Sequence, residues 1–94
     1  MRMVKVIGSV TSTIKDDCLK GVKLLFVRTI DIDLTERNDF HIAIDTVGIG
    51  EGELGLMVTG STAKRTDITN GRNVDAAIVA KVERIDLENI NHIV

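Results

Sequence analysis

The side chains of this chain best suited to chemistry are two histidines, one cysteine and a group of carboxylates near its middle. Asp45, Glu51 and Glu53 lie in the stretch Asp45-Thr46-Val47-Gly48-Ile49-Gly50-Glu51-Gly52-Glu53 and come closest to a constellation. Such a loop can bind a cation, but the spacing matches no calcium-loop pattern, so capping of the loop's own amides is expected. The alternate glycines raise a second chemistry, phosphate binding. Their spacing is G-x-G-x-G rather than G-x-G-x-x-G or G-x-x-x-x-G-K-[ST], and the following Leu54-Gly55-Leu56-Met57-Val58 reads as a strand, whereas an anion cradle needs a helix N-terminus. His41 and His92 are far apart, with no carboxylate at helical spacing to either, the pattern of packed or surface histidines rather than of metal ligands or acid-base groups. Cys18 has no clear histidine partner and reads as an inert loop thiol. No catalytic residue, metal site or cofactor is therefore expected, and an enzyme working through Asp45, Glu51 and Glu53 is disfavoured.

The elements that hold these residues follow from composition. Ninety-four residues make one domain, 1–94, with a small core. Hydrophobic residues are 44% of the chain, but only Phe26 and Phe40 are aromatic, so the interior must be built from Val, Ile, Leu and Ala, a content that favours strands. Twelve basic residues against 14 acidic ones leave a net charge of −2 spread without runs, which argues against nucleic-acid and anionic-membrane partners. A single cysteine allows no internal disulfide, and no secretory leader is apparent, so a reducing cytosol is the expected compartment. No apolar run approaches the roughly 18 residues needed to cross a bilayer.

Met3 to Thr13 reads as a strand, with Gly8 as a bulge or close approach. Lys15 to Gly21 is a polar loop. Val22 to Ile30 is apolar almost throughout, so both its faces are expected to be covered, one by the core and the other by a loop or another subunit. Glu36-Arg37-Asn38-Asp39 is expected to turn a long hairpin, with the chain returning as a strand from Phe40. Alternation from there sets Phe40, Ile42 and Ile44 on one face and His41 and Ala43 on the other. Leu54 to Thr59 is a fourth strand ended by Gly60. Ser61 to Arg65 suits a short helical turn, Asn70-Gly71 a tight turn, and Val74 to Ile85 a fifth strand. A turn at Asp86 to Asn89 then leads into a short apolar terminal strand from Ile90 to Val94. This pattern predicts an all-β fold, a small five-stranded OB-like β-barrel with one short helical turn. On these grounds alone the glycine stretch is a tight inter-strand loop.

Five stretches taken together carry more. Gly8-Ser9-Val10 with Thr13, Leu19 to Leu25, Ala43 to Glu53, Gly60 to Lys64, and Val74 to Val79 occur in an order and spacing that resembles the bacterial microcompartment vertex proteins. These include the carboxysome vertex protein and its ethanolamine-utilisation counterpart, and the resemblance covers almost the whole chain. It implies a non-enzymatic, cytoplasmic shell protein whose homopentamer caps the vertices of a polyhedral shell built mainly from hexameric shell proteins. In that family reading Val47, Gly48, Ile49, Gly50 and Glu51 stand at or near the five-fold axis. Gly60, Ser61, Thr62, Ala63 and Lys64, with Ile90 and Ile93 of the terminal strand, supply subunit contacts. Ile49 stands where the family usually has alanine, Leu54 where it often has tryptophan, and Lys64 where arginine is common, which gives up bidentate hydrogen bonding. The alternative function is a monomeric OB-type binding module for an oligonucleotide or small ligand, although two phenylalanines offer few stacking surfaces.

Overall fold

Seven strands account for most of the residues described by the computed structural model, which are 1–10, 23–60, 75–88 and the backbone of 90–93. They are β1 (Arg2–Val10), β2 (Leu24–Ile30), β3 (Glu36–Asp45), β4 (Leu54–Thr59), β5 (Ala76–Val82), β6 (Arg84–Leu87) and β7 (Ile90–Ile93). The first five close into a barrel in the order β1-β2-β3-β5-β4, as the composition led one to expect. The loop expected at Lys15 to Gly21 with its Cys18, the helical turn at Ser61 to Arg65 and the Asn70-Gly71 turn lie outside the described residues.

Period-two alternation decides what is inside. Val4 and Val6 of β1, Leu25 and Val27 of β2, Ala43 of β3, Met57 of β4 and Ile78 of β5 form a core that solvent scarcely reaches. No aromatic contributes to it: both phenylalanines lie on the outer wall. Residues of the opposite parity, Ile44, Val58 and Ala77, make a second small cluster on the other side of the sheet against Leu24 and Val79. Gly8 lies at a bulge, where the register passes from Val6 opposite Val27 to Gly8 opposite Phe26. Nothing stands within 4 Å of where its Cβ would be, so the bulge rather than a close approach accounts for it.

Two expectations are corrected. The hairpin turns at Asp31 to Thr35, not at Glu36 to Asp39. Leu34 N–H donates to the Asp31 carbonyl and Thr35 N–H to Asp33 Oδ1, while Glu36 to Asp39 already belong to β3. Their polarity reflects an end of β3 that extends past the core and is solvated on both faces rather than a turn. Of the run Val22 to Ile30, Val22 lies outside the described residues, Leu25 and Val27 face the core, and Phe26 on the other face is 38% exposed in the single chain. The fifth strand ends at Val82 rather than Ile85, and after Glu83 the chain starts β6, which pairs with β7 and with no barrel strand. Seven strands are thus found among the described residues, five of them in the expected barrel, and Asp86 and Leu87, expected in a turn, lie in β6.

The barrel closes through a short seam. β3 pairs along β2, but with β5 only in parallel at Ile44 and Asp45, opposite Ala77 and Ile78. The glycine loop begins at that seam.

Candidate functional site

The loop between β3 and β4 is held by its own carboxylates. Asp45 Oδ1 accepts the amides of Val47 at 2.9 Å, Gly48 at 2.8 Å and Ile49 at 3.3 Å. Glu53 Oε1 accepts the Gly50 amide at 2.8 Å, and its other oxygen pairs with Lys81 on β5. The Lys81 hydrogen bond, followed by that of the Gly50 amide, holds the Glu53 carboxyl below its ordinary value, and the same pairing raises Lys81. Thr46 Oγ1 donates to the Ile78 carbonyl at 2.6 Å, and Gly52 N–H donates to the Val6 carbonyl at 2.8 Å, so the loop is fastened to β5 and β1. This is the amide capping expected from the sequence. It also removes the two ligand chemistries: amides already bonded to internal carboxylates cannot cradle a phosphate, and Asp45 and Glu53 are engaged separately. No group of three or more candidate metal ligands comes together among the described residues.

Within the loop the side chains divide. Val47 is 41% exposed and Gly48 and Glu51 are also outside, whereas Ile49 is 1% exposed and plugs the barrel core. Any part Ile49 plays at the loop's outer surface is therefore played by its backbone. Gly48 has φ +80°, a left-handed conformation that disfavours a side chain. Gly55 serves the plug: a Cβ there would stand 2.9 Å from Ile49 Cδ1, 2.9 Å from Ile78 Cγ2 and 3.0 Å from the Ala80 carbonyl oxygen. The sequence reading missed this requirement, because a glycine inside an apolar strand signals a close approach without naming its partner.

A polar cluster on the core-facing side of the strands, beyond the apolar core, was also missed. Asp39 Oδ2 accepts Thr29 Oγ1 at 2.7 Å and Arg2 Nη1 at 2.9 Å, and lies 3.1 Å from His41 Nε2. These contacts, the threonine hydroxyl first, lower the Asp39 pKa. Only helical spacing was considered for His41, yet on a strand positions 39 and 41 share a face. The signal was present at period two. Thr29 and His41 converge on the same carboxylate oxygen and not on each other, so no hydroxyl is activated. The cluster joins β1, β2 and β3.

Of the other residues expected to act, Gly60 is exposed at φ +64° and donates its N–H to the Asp75 carbonyl at 2.8 Å. Ser61, Thr62, Ala63 and Lys64 lie outside the described residues. Ile90 and Ile93 stand on β7 opposite Leu87 and Arg84.

Comparison with known proteins agrees with a structural rather than catalytic role. The chain is 37% identical over 89 residues to the carboxysome shell vertex protein CcmL of Thermosynechococcus vestitus, covering 95% of this chain and 90% of that one. The solved structure of Nostoc sp. PCC 7120 CcmL superposes with a TM-score of 0.90 at 38% identity, covering 97% of this chain and 96% of that one. A pentameric microcompartment shell protein, GrpN from Rhodospirillum rubrum, superposes with a TM-score of 0.85 at 35% identity, covering 94% of this chain and 100% of that one. These relatives are shell proteins, not enzymes. The family model described as "Ethanolamine utilisation protein EutN/carboxysome" matches residues 1–83, and with relatives this similar over nearly its full length the chain belongs to that family.

Proposed function

We propose that the chain assembles into a homopentamer that caps the vertices of a polyhedral bacterial microcompartment in the cytoplasm, set among hexameric shell proteins. Residues 47–51 surround the five-fold axis in this reading, and Gly60 to Lys64 with Ile90 and Ile93 take part in subunit contacts. The observation that carries it is the form of the loop. Between Val47 and Glu51 it turns Ile49 inward and bonds four of its amides to its own carboxylates, leaving Val47 and Glu51 as the side chains outside beside glycine backbone. A segment repeated around a narrow axis needs that economy of side chains, because five copies of any outward group share one space. The pentameric state of the GrpN relative supports the same stoichiometry.

Native mass spectrometry at micromolar concentration tests the ring: a species five times the 10.3 kDa chain is expected, and a stable monomer or dimer would refute it. Co-expression with hexameric shell proteins tests the vertex role. Closed particles should form with the chain present and remain open or tubular without it. With a net charge of −2, no salt-dependent binding of duplex or single-stranded oligonucleotides is expected at physiological salt.

A further inference from the structure

Beside the β2–β3 turn the barrel carries an open cleft of about 470 Å³, walled by Lys5, Ile30, Leu34, Glu36, Gly52 and Leu54. That volume lies within the roughly 300 to 1,000 Å³ usual for small-molecule sites. The cleft is apart from residues 47–51 and does not depend on the ring. Its floor is aliphatic: Ile30 is 5% exposed and Leu54 is 8% exposed. Leu34 supplies the lip from a turn that is fixed by its own bonds. Asp31 N–H donates to the Thr35 carbonyl at 2.9 Å, and Arg37 Nε donates to Asp31 Oδ1 at 2.6 Å. Leu34 has φ +68°, and among the described residues no other non-glycine residue has a positive φ. A branched side chain seldom adopts that conformation, which persists only where the surroundings impose it, as they do at ligand clamps. The cleft is thus shaped before any ligand arrives, which lowers the cost of binding. At Gly52 the mouth is open, since nothing stands within 4 Å of where a Cβ would be.

Two of the six wall residues are charged, and their signs are opposite. Lys5 Nζ lies 3.4 Å from Glu36 Oε1, with the side chains 39% and 43% exposed. So exposed a pair contributes little by itself, and its members can turn to a ligand's charges at small loss. A rim of one ammonium and one carboxylate complements a molecule that carries both charges and discriminates against one that carries a single sign. We propose that this cleft binds a small zwitterion with an aliphatic body, the class to which a branched α-amino acid such as leucine belongs. Its carboxylate meets Lys5 Nζ, its ammonium meets the Glu36 carboxylate, and its side chain lies against Ile30, Leu34 and Leu54.

The test is a methyl-resolved NMR titration of the full chain, in whatever assembly it forms, with L-leucine as the probe. Saturable shifts are expected at the methyls of Ile30, Leu34 and Leu54, while those of Val27 in the core stay in place. Isocaproate and isoamylamine each keep one of leucine's two charges and should bind at least about tenfold more weakly, the loss of one charge-assisted contact. Lys5→Gln and Glu36→Gln should each weaken leucine by a similar factor with the circular dichroism unchanged. Leu54→Trp should fill the floor and abolish binding, and if that variant does not fold the two charge variants decide. Absence of saturable shifts, equal affinity for the singly charged analogues, or undiminished binding in both charge variants would overturn the proposal. N-acetyl-leucine amide binding as tightly as leucine would overturn it as well, by assigning the cleft to an internal stretch of a partner's peptide chain.

Discussion

The glycine loop and the β6–β7 hairpin both leave the barrel wall, and they are stabilised in opposite ways. Every interaction that shapes the loop lies within the chain: two carboxylates cap four of its amides, Ile49 anchors it in the core, and Thr46 and Gly52 tie it to β5 and β1. The hairpin pairs β6 with β7 and with no barrel strand among the described residues. The loop is thus held by contacts to the barrel on both sides, whereas the hairpin's backbone pairs only within itself among the described residues. The difference shows how a 94-residue chain with a small aliphatic core concentrates its tertiary contacts on the segments that close the barrel.

The comparison can be broken hardest at the plug. Ile49→Ala empties a fully buried site and should lower stability by about 2 to 5 kcal/mol in denaturant titrations, whatever the state of assembly. Gly55→Ala, by forcing Ile49 and Ile78 apart, should cost about 1 to 3 kcal/mol, and the double variant with Ile49→Val should recover part of that loss. A double variant no more stable than Gly55→Ala alone would show that the steric reading of Gly55 is wrong.

Removing a cap sharpens the loop side. Asp45→Ala leaves the amides of Val47, Gly48 and Ile49 without their acceptor, so hydrogen exchange at those three positions should accelerate well before exchange in β2 does. Equal protection in the variant would mean that the carboxylate is incidental. A smaller effect concerns acid. The Glu53 carboxyl is held below its ordinary value of 4.5 in the folded chain, so its contribution is present above that pH and is lost as pH falls toward the depressed folded value. Stability should therefore decline below about pH 4.5, and Glu53→Gln should flatten that decline while leaving the neutral-pH fold intact. Identical acid profiles for the two proteins would detach the Lys81 pairing from stability.

The smallest effect on the barrel, and the sharpest contrast, is expected in the hairpin. Leu87→Ser should change the unfolding of the monomeric barrel by no more than about 0.5 kcal/mol, as for a surface position. Its consequence should appear in sedimentation velocity, as a shift from ring to monomer. A large drop in monomer stability would mean that the hairpin packs on its own barrel.

Much of this organisation could be read in the residues alone. β-Branched content and the scarcity of aromatics specify strands around an aliphatic core, Gly8 marks a bulge, and Asp45 and Glu53 beside glycines announce carboxylate caps, because these are local consequences of residue type and spacing. Only tertiary structure decided the rest. Glu36 to Asp39 look like a turn until the end of β3 proves to extend past the core, solvated on both faces. Ile49 looks like a loop residue until the closed barrel offers it a hole that Gly55 keeps clear. Arg2, Thr29 and His41 meet at Asp39 only because β1, β2 and β3 run side by side. Each of these depends on contacts distant in sequence, and such contacts exist only once the sheet has wrapped around its core.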